Sequence, residues 1–177
     1  MRIITRTLIY SSLNADQKRI VDRMLHKVVN NEPVHLLVSG RGGTGKRRVI
    51  DVVNRMVTRE TSSSNLPTVV TAPTGLAAFN VNGTTMHRVL LVPVEHGKPA
   101  DYARFGQAQL LLVRKTLKGL RLLICDELSM VSSLTLLYMH LRMCEIFNSV
   151  ELFGGIRVLF FCRPFTAATS ERQSSVS

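Results

Sequence analysis

The amino-acid sequence predicts an α/β fold, a mostly parallel sheet with helices on both faces, and three observations carry that expectation. The runs Val34 to Val38, Thr68 to Ala72, Leu122 to Cys125 and Ile156 to Phe161 are short and nearly continuous in apolar residues, as strands covered on both faces are. Between them lie stretches whose apolar residues recur at helical spacing, so strands and helices alternate along the chain. The first strand runs directly into Gly40-Arg41-Gly42-Gly43-Thr44-Gly45-Lys46-Arg47, a glycine-rich turn that opens a helix.

Taken in order, the first helix opens at Asn14-Ala15-Asp16-Gln17 and carries Ile20, Val21, Met24, Leu25 and Val28 on one face. Asn14 as N-cap with Gln17 three residues later satisfies a capping box, which gives Gln17 a purely structural reading. Asn30-Asn31-Glu32-Pro33 ends that helix and leads into the first strand. Behind the glycine-rich turn, Val49, Val52, Val53, Met56 and Val57 mark a second helix, and Thr58 to Pro67 is a polar connection. The second strand stops at Pro73-Thr74-Gly75; Leu76 to Val81 reads as a helical turn, Asn82-Gly83 as a tight turn, and Thr84-Thr85-Met86-His87 as the start of the next helix. Residues 93–106 lack a period and read as an irregular surface insertion. Helices are expected over Leu110 to Leu120, closed by Gly119, and over Leu134 to Phe147. Thr166 to Ser177 is polar and patternless, as a disordered tail is.

A chain of 177 residues with 45% hydrophobic content is one globular domain by length. Its formal net charge of +11 and pI near 10.4 favour a polyanionic partner, nucleic acid first and a membrane surface second. The basic residues are scattered, so a solvated basic surface explains the same balance. Cys125, Cys144 and Cys162 form no C-x-x-C pair, which argues against a zinc site or a disulfide framework and for a reducing compartment. No apolar run approaches a membrane span. Residues 1–13 hold Arg2, Arg6, hydroxyls and no acid, a faint presequence-like composition.

The glycine-rich turn has the chemistry of a phosphate-binding loop. Polyphosphate needs many donors at close range, and Gly40, Gly42, Gly43 and Gly45 let backbone N–H groups converge on one concavity. The helix that begins near Lys46 adds its N-terminal dipole, and Lys46 would reach the β- and γ-phosphates. Every fixed position of G-x-x-x-x-G-K-[ST] is met except the last, where Arg47 replaces the hydroxyl that binds magnesium. Asp126-Glu127, at the carboxyl end of an apolar strand, is the matching acidic pair: Asp126 would hold hydrated magnesium and Glu127 would polarise the attacking water. Read alone, two acids at a helix start are simply favoured by the dipole.

Leu13-Asn14-Ala15-Asp16-Gln17, the G-R-G-G-T-G-K loop, Ala72-Pro73-Thr74-Gly75-Leu76-Ala77-Ala78-Phe79-Asn80-Val81-Asn82-Gly83-Thr84-Thr85-Met86-His87, Cys125-Asp126-Glu127-Leu128-Ser129-Met130-Val131 and Phe153-Gly154-Gly155-Ile156 occur in this order. Together they resemble the first motor domain of the Pif-type (petite integration frequency) DNA helicases of superfamily one. The likeness runs from about residue 13 to residue 161, and the Thr-Gly-x-Ala-Ala-Phe segment is its most specific part.

The resemblance implies a P-loop NTPase of the RecA-like kind, ATP and Mg2+ as cofactors, and single-stranded DNA as partner. It implies that Gln17 reads the adenine, that Gly40 to Arg47 and above all Lys46 hold the phosphates, and that Asp126 and Glu127 serve magnesium and water. Thr74, Gly75, Thr85 and His87 would lie along the DNA, where free N–H groups and hydroxyls contact phosphates. Taken alone, His87 reads as a helix-start or core histidine. The implied layout is an N-terminal extension over residues 1–13, a motor domain over 14–161 and a tail over 162–177, in a nuclear or mitochondrial protein of DNA repair and recombination. Oligomeric state is not legible.

Two departures bear on activity. Arg47 sets a fixed positive charge where the metal would sit; nucleotide could still bind, even without metal, but the loss of one preorganised electrostatic group costs on the order of 10²-fold in turnover. After Phe161 the family pattern continues with Gly-Asp and then Gln-Leu-Pro-Pro, whereas this chain reads Cys162-Arg163-Pro164-Phe165 and stops soon after. No second motor domain follows in this sequence, so the chain by itself is expected not to unwind DNA. Its last strand is expected to expose an unpaired edge. A degenerate binding module without turnover is the alternative reading. A small-molecule kinase is a third, disfavoured because Thr74 to His87 matches a DNA-contacting segment rather than a substrate lid.

Overall fold

The structure, a computed structural model, describes residues 10–61, 66–94 and 101–164. Six helices and five strands are described: α1 (Ala15–Val29), β1 (His35–Ser39), α2 (Lys46–Glu60), β2 (Thr68–Ala72), α3 (Gly75–Asn80), β3 (Thr84–Thr85), α4 (Met86–Leu90), α5 (Gln107–Thr116), β4 (Leu122–Cys125), α6 (Ser133–Phe147) and β5 (Arg157–Cys162). Short 3-10 turns at Leu128–Met130 and Leu152–Gly155 flank α6.

The five strands form one parallel sheet in the order β1-β5-β4-β2-β3. Alternation along the central strands splits the core into two layers, because successive side chains point to opposite faces. Leu122 and Ile124 of β4, with Leu159 and Phe161 of β5, pack beneath α1 and α2 against Val21, Met24, Val28, Val49, Val53 and Val57. Leu123, Cys125, Val158 and Phe160 face the opposite way, onto Met86, Leu90, Val113, Leu117, Met139 and Met143 of the other helices and their ends. The expected two-sided sheet is therefore present.

Two local expectations change and two are extended. The last strand is not an edge: β5 pairs with both β1 and β4, in register from Val158 opposite His35 and Leu123. The outer position falls to β1, whose His35, Leu37 and Ser39 face solvent, with Leu37 56% exposed. Thr84-Thr85-Met86-His87 opens α4 as expected, with Thr85 as its N-cap, and Thr84 and Thr85 also pair as β3 against Thr71 and Ala72; Gly83 lets that turn approach β2, since a Cβ there would lie 2.4 Å from the Val70 carbonyl oxygen. Helix α5 spans Gln107–Thr116 rather than Leu110 to Leu120, because Leu120 N–H turns back to the Leu117 carbonyl and Gly119 adopts φ 93°. The segment expected as a surface insertion is anchored over its described residues: Tyr102 Oη and Phe105 N–H both donate to the Glu145 carboxylate. Both rings also stack on the Arg142 guanidinium, at 4.7 and 3.7 Å. Residues 1–9 of the expected extension and 165–177 of the expected tail lie outside the described residues.

Candidate functional site: a phosphate loop facing an acidic strand end

The carboxyl ends of parallel strands collect the site, as the alternating topology requires. Gly40 continues β1 and donates its N–H to the Cys162 carbonyl at 3.2 Å, which ties the loop to the end of β5. Gly43 and Gly45 take φ of 79° and 81°, the left-handed region in which a Cβ is strained. Gly45 is the N-cap of α2 and offers no side-chain cap, so the first-turn N–H groups of that helix are left without a side-chain partner. Lys46 folds back into the loop, its Nζ donating to the carbonyls of Gly40 at 2.6 Å and Arg41 at 3.0 Å. Thr44 closes the turn by donating from Oγ1 to the Arg41 carbonyl at 2.9 Å.

Gln17 joins this loop to α1. The capping box is present, with Gln17 Oε1 accepting from Asn14 N–H at 3.1 Å and Asn14 Oδ1 accepting from Gln17 N–H at 2.9 Å. The remaining amide nitrogen donates to the Thr44 carbonyl at 3.0 Å. Its structural reading thus holds, and the same side chain reaches the phosphate loop. A cavity of about 360 Å³ opens here, lined by Asn14, Gln17, Ser39, Gly40, Thr44 and Lys46.

Across the loop, Asp126 leaves the end of β4 with its N–H donating to the Thr71 carbonyl at 2.9 Å. It is 9% exposed, and its Oδ1 is buried without a hydrogen-bond partner. Burial raises its pKa above the ordinary value, while the Lys46 and Arg163 charges pull it back down. Glu127 follows at φ 52°, ψ 43°, and pairs with Arg163 at 3.1 Å. Arg47, Thr74, Asp126, Glu127, Ser129 and Arg163 line a second cavity of about 440 Å³.

Asp126 Oδ1 alone suits a magnesium ion. At position 47 a guanidinium replaces the second oxygen, and Arg163 places another cation beside the acidic pair, so the set as a whole does not fit the ion.

Thr74 and Thr85 are N-caps of α3 and α4, accepting from Ala77 N–H at 3.2 Å and Arg88 N–H at 3.3 Å, and Gly75 is the first residue of α3. His87 sits one residue inside α4, its Nδ1 3.1 Å from the Val92 carbonyl oxygen. Thr74 shares the cavity with Asp126; Thr85 and His87 line neither cavity. Sequence reasoning assigned no role to Leu76 and Phe79, which α3 presents to solvent at 74% and 78% exposure, or to Arg163. The charge of Arg163 beside a family pattern of Gly-Asp was the one available indication. A larger depression of about 630 Å³ between the ends of α5 and α6 is lined by Arg114, Lys115 and Lys118. Arg114 there is consumed by the Glu145 and Ile146 carbonyls, and no glycine loop or carboxylate faces it.

Comparison with known proteins agrees with this fold. The family model described as PIF1-like helicase matches residues 12–167. The ATP-dependent DNA helicase RRM3 of Saccharomyces cerevisiae is 26% identical over 163 residues, which cover 90% of this chain and 21% of that protein. ATP-dependent DNA helicase PIF7 of Trypanosoma brucei brucei is 28% identical over 154 residues, or 83% of this chain and 14% of that one. The crystal structure of Pif1 helicase from Bacteroides in complex with ADP-AlF3 and ssDNA superposes with a TM-score of 0.64 at 27% identity, covering 90% of this chain and 35% of that one. The chain spans about a fifth or less of its curated relatives and about a third of that solved helicase. A match across nearly its whole length, on a parallel sheet that carries the loop and the acidic pair at its carboxyl edge, shows that the chain belongs to the PIF1-like helicase family.

Proposed function

We propose that residues 14–161 are the first RecA-like motor domain of an ATP-dependent DNA helicase, binding ATP at Gln17, the loop Gly40 to Arg47 and the Asp126-Glu127 pair. The observation that carries this reading is a phosphate loop closed around Lys46, opposite a buried Asp126 oxygen that has no partner. Lys46 is held inside the loop by two carbonyls that a phosphate can replace, and the unpartnered Asp126 oxygen is costly to leave buried without a donor or cation. Single-stranded DNA would run past Thr74, Gly75, Thr85 and His87, with the exposed Phe79 and Leu76 offering apolar surface to bases. The net charge of +11 favours the same partner. The family supports a DNA-associated, nuclear role in repair and recombination. No described helix is long and apolar enough to cross a membrane.

In the chemistry, Lys46 and the loop N–H groups would orient the β- and γ-phosphates, and Glu127, which lines the cleft, would be the base for an attacking water once freed from Arg163. Magnesium, when bound at such a site, neutralises phosphate charge; here only Asp126 would hold it. Arg47 therefore favours the reading of a motor domain impaired in turnover, close to a non-hydrolysing module. Equilibrium binding of a fluorescent ATP analogue and of a labelled oligonucleotide tests the proposal. Lys46→Ala should abolish nucleotide binding and spare DNA binding; undiminished nucleotide binding by that variant refutes the assignment of the loop.

A further inference from the structure

Two arginines that interrupt the family pattern at separate places in the sequence meet in one cleft. Arg47 and Arg163 both line the cavity above Asp126 and Glu127, together with Thr74 and Ser129. Arg163 donates from Nη2 to Glu127 Oε1 at 3.1 Å. Glu127 is the enclosed partner, with 18% of its side chain exposed against 64% for Arg163, so the carboxylate is held from the solvent side by the guanidinium. The charge of Arg163 is also felt at Asp126, alongside that of Lys46. Among the described residues the Arg47 side chain makes no hydrogen bond or ion pair, and its five donors are left to the cleft and to solvent.

The cleft thus contains two cations of its own beside the acidic pair. Guanidinium forks match phosphate oxygens two at a time and, unlike a hydrated metal ion, need no oxygen ligands from the protein. We propose that Arg163, seated on Glu127 and acting with Arg47, makes this cleft a metal-independent seat for the terminal phosphates of a nucleoside triphosphate and keeps Glu127 from activating water. This rests on the nucleotide reading above and adds the form of the ligand, the free triphosphate rather than its magnesium complex. Magnesium masks the oxygens that the two forks would take and brings a like charge toward them, so it weakens binding here instead of strengthening it.

The test is displacement of trinitrophenyl-ATP from the full chain by ATP and by ADP, each in EDTA and in excess magnesium, for the native protein, Arg163→Gln and Arg163→Lys. The native chain is expected to bind ATP more tightly in EDTA. Arg163→Gln should weaken metal-free ATP by about tenfold, the size of one charge-assisted hydrogen bond, and ADP by less. Arg163→Lys keeps the charge without the fork and should also lose the preference for metal-free ATP. Equal loss for ATP and ADP, unchanged affinity in both variants, or a native chain that binds only with magnesium overturns the proposal while leaving the nucleotide site standing. A natively folded chain, judged by circular dichroism, that binds nucleotide in neither buffer overturns the nucleotide reading and this proposal together.

Discussion

Replacing Gly45 by alanine probes the contact that joins the phosphate loop to the first helix. Gly45 has φ 81°, and a Cβ built there would lie 2.4 Å from Gln17 Nε2. A non-glycine residue in that region costs about 1–2 kcal/mol by itself. The Cβ must also drive the Gln17 amide off the Thr44 carbonyl, a hydrogen bond of 3.0 Å whose loss costs a further ~0.5–1.5 kcal/mol. Because the displaced group is the end of a flexible side chain, nothing larger has to move. Gly45→Ala should therefore destabilise by about 2–3 kcal/mol, which for a chain of this size lowers Tm by roughly 4–12 °C. In a Gln17→Ala background only the backbone part remains, about 1–2 kcal/mol. Urea unfolding of the native chain, both single variants and the double variant gives the coupling directly. Additivity within about 0.5 kcal/mol would refute the contact between Gln17 and the loop.

Arg142→Leu removes a guanidinium that is 4% exposed, paired with Glu145 at 3.0 Å and stacked on Tyr102 and Phe105; the half-buried carboxylate keeps its two donors but loses its counter-charge and the stacking, which should cost about 2–3 kcal/mol, with faster hydrogen exchange across residues 101–106, and a loss below ~1 kcal/mol would show the cluster to be peripheral. Burial lifts the Asp126 carboxyl above its ordinary 3.8, so the folded chain holds that proton more readily than the unfolded chain, and stability declines as pH rises from the unfolded value through the folded one. Asp126→Asn should flatten that decline and raise the denaturation midpoint at pH 7; a lower midpoint there would mean that the charged form is well accommodated. Burial pushes the Cys125 thiol up to about 12, so a disulfide reagent at pH 8 should modify the partly exposed Cys144 and Cys162 quickly and Cys125 only on unfolding, and three equally fast thiols would contradict the buried strand end.

Much of the site was legible because its parts are local. A phosphate loop is a run of adjacent residues whose backbone conformation depends on glycine positions, and Gly43 and Gly45 take the positive φ that their lack of a side chain allows. The capping box at Asn14 and Gln17 is likewise a four-residue device, found where its spacing placed it. Apolar runs identified β2, β4 and β5, because a strand covered on both faces has no polar positions to spare. Local patterns missed what neighbours decide: Thr84 and Thr85, besides opening α4, pair as a strand because β2 offers them an edge, and α5 slid toward Gly106.

Composition, strand and helix alternation, the glycine loop and the acidic strand end were set by the sequence alone, each being a property of a few consecutive residues. Only the tertiary structure decided the rest. It inserted β5 between β1 and β4, which leaves β1 rather than the last strand at the edge. It brought the amide of Gln17 to Thr44 across 27 positions and set Arg163 on Glu127 across 36. Contacts at such separation depend on how helices cross the sheet, and no pattern within a short window encodes that geometry. The chemistry of the cleft, two guanidiniums facing two carboxylates, exists only once the parallel strands deliver their carboxyl ends to the same side.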